Sequence, residues 1–264
     1  MSERLDAYLV SKGLAKSRER AKELIKSGSV MINGKPALKP SLTVNENDIV
    51  TAGSDHSYVG RGAFKLIKAL DVFKIDVCSR VCADIGASTG GFTQVLLERG
   101  ADKVYAVDVG HGQLDASLAS DERVVNMEGT NVRELTASSF DDEISFICID
   151  VSFISLNSIL DSVTSIILPG GEIAALIKPQ FEAGKSALNK KGIVKDRKAH
   201  IRVINDLIAA FTVSGLNVKG ITFSPIAGGS GNIEYLVYLK NETPEIYSGS
   251  IEMLVDEAFS GFRE

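Results

Sequence analysis

The sequence predicts an α/β chain in two parts: a mostly parallel sheet ending in an antiparallel hairpin, preceded by a small α+β module. Three observations carry that prediction. Short apolar runs close on charged residues at Asp84, Asp108, Asp150 and Lys178. A glycine-rich turn, Gly86-Ala87-Ser88-Thr89-Gly90-Gly91, separates the first run from a helical pattern. Charge is segregated: residues 1–50 hold nine Lys or Arg against six Asp or Glu, net +3, and the remainder is net −8. Near-continuous apolar runs are those of parallel strands buried on both faces, and open sheets of this kind hold ligands beyond the carboxyl ends of their strands.

In chain order, residues 3–12 read as a short helix, and Ser17 suits the N-cap of a second helix running to about Lys26 and ended by Gly28. Ala21, Leu24 and Ile25 form its apolar face, and Arg18, Lys22 and Lys26 recur every four residues beside it. The Asn33-Gly34 pair turns Val30–Ala37 into a hairpin, and Asp48–Val50 completes a small sheet. A cationic stripe beside a tight hairpin can grip phosphates without reading base sequence. Arg4, Arg20 and Lys35 add to it, as does Arg61 further along. Residues 51–57, small and polar, read as a linker, which divides the chain into domains 1–50 and 58–264.

The second part opens with a helix that carries Lys65, before a strand over Val81–Ile85. The turn that follows is not a dinucleotide fingerprint, because Gly86-x-x-x-Gly90-Gly91 lacks the G-x-G-x-x-G spacing. S-adenosylmethionine fits better, with an ammonium for Asp84 and a carboxylate for the turn and helix N-terminus. Lys103–Asp108 is the next strand, and its Asp108 suits ribose hydroxyls. The candidate cradle is therefore Asp84, Gly86, Ser88, Thr89, Gly90, Gly91, Phe92, Asp108 and Val109. Strands over Arg123–Asn126, Ile144–Ile149 and Ile173–Ile177 follow, and then a hairpin of Leu216–Phe223 with Ile233–Leu239.

With 44% apolar residues the chain can bury a full core. Cys82 and Cys148 fall inside apolar strands and read as reduced core residues, which points to a cytoplasmic protein. The start lacks a basic and then apolar leader, no apolar run reaches the roughly 20 residues of a membrane span, and His56, His111 and His200 have no metal-ligand spacing. Neither a membrane nor a metal is expected as a partner.

The motifs add a family resemblance. Arg4-Leu5-Asp6, Ala15–Ala21 and Gly28–Pro36 resemble the small RNA-binding domain named after ribosomal small-subunit protein four, over about the first 50 residues. Tyr58–Leu66, the cofactor turn, Asp108–Leu114 and Lys178–Glu182 resemble the TlyA family of ribosomal RNA methyltransferases over nearly the whole chain; a Ser is expected where Gly60 stands. That resemblance implies a Rossmann-like methyltransferase sheet like that of FtsJ, S-adenosylmethionine as methyl donor, and ribose 2′-hydroxyls of cytidines in ribosomal RNA or ribosomal subunits as the target. It maps a lysine, aspartate, lysine, glutamate tetrad onto Lys65, Asp150, Lys178 and Glu234, and adenine contacts onto Asn131 and Val132. Asp150 also borders the cofactor. Lys178 is the expected proton acceptor, tuned by Asp150 and Lys65, because a lysine accepts a proton only where burial or a second cation lowers its pKa. Lys185, Lys190, Lys191, Lys195, Arg197 and Lys198 crowd one segment suited to phosphates. Competing readings are a noncatalytic RNA-binding factor and a cytolysin, since members of this family are labelled haemolysins. A monomer is expected.

Overall fold

A computed structural model describes residues 2–26, 30–33, 35–37, 39–45, 48–52 and 58–262. Gly28, Gly34 and residues 53–57 of the expected linker lie outside the described residues, as do the side chains of Lys26 and Lys35. The chain divides into two compact units, Met1–Phe64 and Lys65–Glu264.

In the first unit, β1 (Glu3–Arg4) leads into α1 (Leu5–Ser11), and α2 (Arg18–Lys26) follows. Next come β2 (Val30–Ile32), β3 (Lys35–Pro36), β4 (Thr43–Val44) and β5 (Val50–Ala52). The helix expected from residue 3 starts at Leu5, because Glu3 and Arg4 are extended and pair antiparallel with Val44 and Thr43. Ser17 does cap α2, its hydroxyl accepting the Arg20 N–H at 3.1 Å. β2 takes β3 on one side and β5 on the other, and Thr51 and Ala52, expected in the linker, belong to β5. Asn33 has φ 53° and fastens this sheet, donating from Nδ2 to Asp48 at 2.8 Å and accepting the Ile49 N–H at 2.9 Å. Leu5, Leu9, Ala21, Ile25 and Val30 close a small core.

α3 (Ala63–Phe73) spans the boundary between the units. Beyond it run β6 (Val81–Ile85), α4 (Gly91–Glu98), β7 (Lys103–Asp108), α5 (Ala116–Ala119), β8 (Val124–Glu128) and β9 (Ile144–Ile149). Then come α6 (Leu160–Ile166), β10 (Ile167–Ile177), α7 (Pro179–Glu182), α8 (Arg197–Val213), β11 (Asn217–Phe223), β12 (Tyr235–Lys240) and α9 (Ile251–Gly261). Among the described residues they form a seven-stranded sheet of order β11-β12-β10-β9-β6-β7-β8. β6 through β10 pair in parallel, and β12 runs antiparallel to β10 and β11, the terminal hairpin expected from sequence.

The central strands are apolar because both faces are covered, and Phe146, Ile147, Phe211 and Tyr235 are wholly buried. Burying each such side chain stabilises the fold by about 2–3 kcal/mol. β8 differs. As the edge strand it leaves Val125 and Asn126 exposed, so its faces are not both covered. β10 begins six residues earlier than expected, with an irregularity between Ile167 and Glu172 where Pro169 and two glycines interrupt the ladder. Cys78, Cys82 and Cys148 are free thiols, and burial pushes the Cys82 thiol up to about 12. Among the described residues no helix is long and apolar enough to cross a membrane.

Candidate active site

The parallel strands β6, β7, β9 and β10 all point their carboxyl ends the same way, so residues far apart in sequence emerge side by side. Asp150 leaves β9 and Lys178 leaves β10, where Pro179 at the first position of α7 forces the chain to turn. Lys65 comes from the first turn of α3, and Glu234 directly precedes β12. All four side chains meet.

Lys65 Nζ lies 2.7 Å from Glu234 Oε2 and 3.5 Å from Asp150 Oδ2, and Lys178 Nζ lies 2.5 Å from Asp150 Oδ1. Lys178 also donates to Ser152 Oγ at 2.9 Å. Three of the four are buried, Lys65 8%, Lys178 7% and Glu234 2% exposed, and Asp150 is half-buried. Burial alone would lower the pKa of Lys65, but Asp150 and Glu234 together outweigh it and raise the pKa, so Lys65 is held as an ammonium. Buried charges persist only when paired, and here Lys65 and Lys178 alternate with Asp150 and Glu234, with Asp150 Oδ1 meeting Lys178 as an ion pair without a hydrogen bond.

Glu234 is delivered by a tight loop. The Ser224 N–H donates to the Glu234 carbonyl at 2.8 Å, and the Gly228 N–H to the Asn232 carbonyl at 2.9 Å. A β-carbon at Gly228 would fall 2.3 Å from Glu234 Oε1, so glycine there leaves room for the carboxylate. Asn232, 2% exposed, accepts the Val194 N–H and donates to the Gly192 carbonyl, tying this loop to the lysine-rich segment. Behind it His200 is wholly buried between the Tyr235 hydroxyl, 2.9 Å from Nδ1, and the Val194 carbonyl, 3.0 Å from Nε2. Because the carbonyl only accepts, Nε2 carries the proton; burial lowers the pKa of His200 and favours the neutral ring.

The glycine turn lies at the end of β6. Gly86 has φ 88°, and a β-carbon there would come within 2.7 Å of the Asp150 carbonyl oxygen. Gly90, φ 95°, is the N-cap of α4, and a β-carbon would strike Leu118 at 2.3 Å. Asp108 accepts the Ser88 N–H at 2.8 Å and the Gly110 N–H at 2.7 Å, which aims its carboxylate across the turn. Ser88, Thr89 and Val109 are exposed beside it, while Gly91 and Phe92 are buried in α4. Asp84 is not an exposed strand exit: it is wholly buried, its Oδ2 accepts the Thr93 hydroxyl at 2.7 Å, and its Oδ1 has no partner. Burial pushes its carboxyl up to about 7. Asn131 caps a short 3₁₀ turn by accepting the Arg133 N–H, and Val132, 7% exposed, joins the core.

Of the residues expected to face RNA, Arg4, Arg18, Arg20, Lys22 and Arg61 are exposed. Arg4 and Arg18 both reach back to Asp6, which is wholly buried, at 3.0 and 2.9 Å. Sequence reasoning missed Ser152, Gln180 and Glu182 as parts of this region. Gln180 Nε2 donates to Glu234 Oε1 at 3.0 Å. Glu182 accepts the Ser155 hydroxyl at 2.6 Å and the Leu156 N–H at 2.8 Å, fastening α7 to the loop after β9. Gln180 and Glu182 lie in the Lys178–Glu182 segment that carries the resemblance, and Ser152 stands two residues after Asp150; neither place announced what these side chains hold.

Comparison with known proteins bears on the family of both parts of the chain. An S4 domain model matches residues 3–50, and a model described as FtsJ-like methyltransferase matches residues 58–241. The chain is 44% identical to the rRNA-methyltransferase-named YqxC of Bacillus subtilis, over 99% of this chain and 96% of that protein. It is 42% identical to the 16S/23S rRNA (cytidine-2′-O)-methyltransferase TlyA of Mycobacterium tuberculosis, over 97% of each. A solved structure of a hemolysin-named protein from Streptococcus thermophilus superposes with a TM-score of 0.76 at 42% identity, covering 99% of this chain and 97% of that one.

Proposed function

We infer, since this chain belongs to the FtsJ-like methyltransferase family, that it transfers a methyl group from S-adenosylmethionine to the ribose 2′-hydroxyl of a cytidine in ribosomal RNA. The observation that carries this reading is the meeting of Lys65, Asp150, Lys178 and Glu234 in one largely buried cluster beside the glycine turn. The turn fits the cofactor: two positive-φ glycines leave no room for side chains, and the α4 N-terminus and Asp108 offer opposite polarity to a carboxylate and to ribose hydroxyls. Asp84, Gly86, Ser88, Thr89, Gly90, Gly91, Phe92, Asp108, Val109, Asn131, Val132 and Asp150 are assigned to hold it. When bound, it supplies an electrophilic methyl group on a sulfonium.

A ribose hydroxyl is a weak nucleophile, so the chain must align it and take its proton as the new O–C bond forms. Lys65, between two carboxylates, stays charged and holds Asp150 and Glu234 in place. Lys178 shares one oxygen of Asp150 and a serine hydroxyl, and it is the remaining amine able, in its neutral form, to accept that proton and pass it to solvent. Residues 1–52, with Arg4, Arg18, Arg20, Lys22, Lys26 and Lys35, together with Arg61, dock the RNA through phosphates, and the residues after Ala52 join this module to the methyltransferase domain 58–264. The reading assigns a monomer working in the cytoplasm, where ribosomes are made. Incubation with labelled S-adenosylmethionine and ribosomal subunits tests it: Lys178→Ala loses transfer by about 100-fold or more while calorimetric binding of the methyl donor is kept. Unchanged transfer in that variant removes Lys178 as the proton acceptor.

A further inference from the structure

Gln180 sits two residues beyond Lys178, at the second position of α7, and its amide meets the opposite end of the cluster. Glu234 is acceptor-only when ionised, so the Gln180 NH₂ must face it, and the orientation of the amide follows from its neighbour. Glu234 thereby has one oxygen on Lys65 at 2.7 Å and the other on Gln180 at 3.0 Å. The same short helix thus has Lys178, paired with Asp150, as its N-cap and carries the amide that secures Glu234, paired with Lys65. The contacts close into a ring: Lys65, Asp150, Lys178, the α7 backbone, Gln180, Glu234, and back to Lys65.

Two buried oxygens of this ring have no hydrogen-bond partner, and of these Asp150 Oδ1 still has Lys178 Nζ beside it as an ion pair. The other is Gln180 Oε1. An unmet buried carbonyl destabilises a fold, and an apolar side chain of similar shape would avoid that cost. A glutamine kept in that state is placed for what its NH₂ does to Glu234 and not for stability, a pattern typical of sites that trade stability for function.

We propose that Gln180 is a positioning residue of the methyl-transfer site: it fixes Glu234, and through Glu234 the ammonium of Lys65, so that Asp150 is left aligned on Lys178. This rests on the reading of the site as an RNA ribose methyltransferase. Gln180 touches no reacting atom; it acts through the carboxylate it holds.

The test uses the full-length protein. Gln180→Met keeps length and flexibility, and removes both the donor and the unpartnered carbonyl. Expected are a kcat about 10- to 100-fold lower, since sub-ångström misplacement of a catalytic group has effects of that order, an unchanged KM for S-adenosylmethionine, and a melting temperature equal to or above that of the wild type. Competitive acetylation read by mass spectrometry gives a measure that does not depend on turnover: Lys65 becomes more reactive in Gln180→Met because Glu234 is no longer pinned. An unaltered kcat with unaltered Lys65 labelling overturns the proposal, as does a kcat loss accompanied by a lowered melting temperature and unaltered Lys65 labelling, which makes Gln180 a packing residue. Gln180→Glu supplies a second readout: its carboxyl can donate to Glu234 only when protonated, so its kcat relative to wild type rises as pH falls from about 8 to about 6, and a flat ratio counts against the proposal. Should the wild type methylate no ribosomal RNA, the functional reading fails, and the Lys65 labelling still decides whether Gln180 holds the ring.

Discussion

Asp84 concentrates the electrostatic tension of this site in one side chain. It is wholly buried, shares one oxygen with Thr93, and has a carboxyl raised to about 7, chiefly by burial. A carboxyl that binds its proton more tightly when folded stabilises the fold fully below the unfolded value near 4, and that contribution is lost as pH rises through 7. Asp6 has the opposite sign: its hydrogen bond from Arg4, opposed by burial and aided by Arg18, lowers it to about 2, so its contribution disappears only as pH falls below about 4. Between pH 5 and 8 Asp84 therefore acts and Asp6 does not. Urea midpoints of the wild type fall across that window, and Asp84→Asn flattens the fall; parallel pH dependences of the two proteins would remove Asp84 as the source.

At the level of elements, the end of the sheet away from the turn is fastened by one arginine. Arg80, just before β6, contacts Glu172 of β10, donates to the Ser145 carbonyl of β9 at 2.5 Å and to its hydroxyl at 3.3 Å, and reaches the Asp76 carbonyl at 3.0 Å. Tyr238 of β12 closes on the same Glu172. Four strands share this cluster, so their register at one end sets how Asp84, Asp150, Lys178 and Glu234 emerge at the other. Arg80→Ala leaves Glu172 half-buried beside a tyrosine with its cation gone, and is expected to cost about 2–3 kcal/mol in denaturant unfolding. A loss under 0.5 kcal/mol would mean that strand packing alone sets the register.

For the whole molecule, the division of charge matters more than its sum. The chain is net −5, which by itself opposes binding to a polyanion, yet residues 1–50 are net +3. Arg20 and Lys22 are exposed on α2. If this module docks RNA by phosphates, affinity falls linearly with salt on logarithmic axes, and Arg20→Ala with Lys22→Ala together reduces the slope by about 1–2 without changing which RNA is preferred. A slope equal to that of the wild type would take α2 out of the RNA interface.

Much of this architecture is written locally. Continuous apolar runs marked β6, β7 and β9, the glycine turn marked the strand-to-helix crossing, and the Asn33 turn marked the first hairpin, because period, backbone freedom and turn chemistry act over a few residues. The edge exposure of β8, the extended Glu3–Arg4 and the early start of β10 escaped that reading, since each depends on which strand lies alongside. Asp150 and Lys178 were legible as charges that close apolar strands, Lys65 and Glu234 only through the resemblance to a family, and their pairings were not legible at all. Lys65 reaches Asp150 across 85 positions and Glu234 across 169, and the roles of Gln180 and Asp6 follow from partners that neither could announce in sequence. Composition and spacing determine which elements form, but the order of the strands determines which charges face one another. Proximity across a sheet, not the chain itself, sets the partner and hence the charge of a buried group.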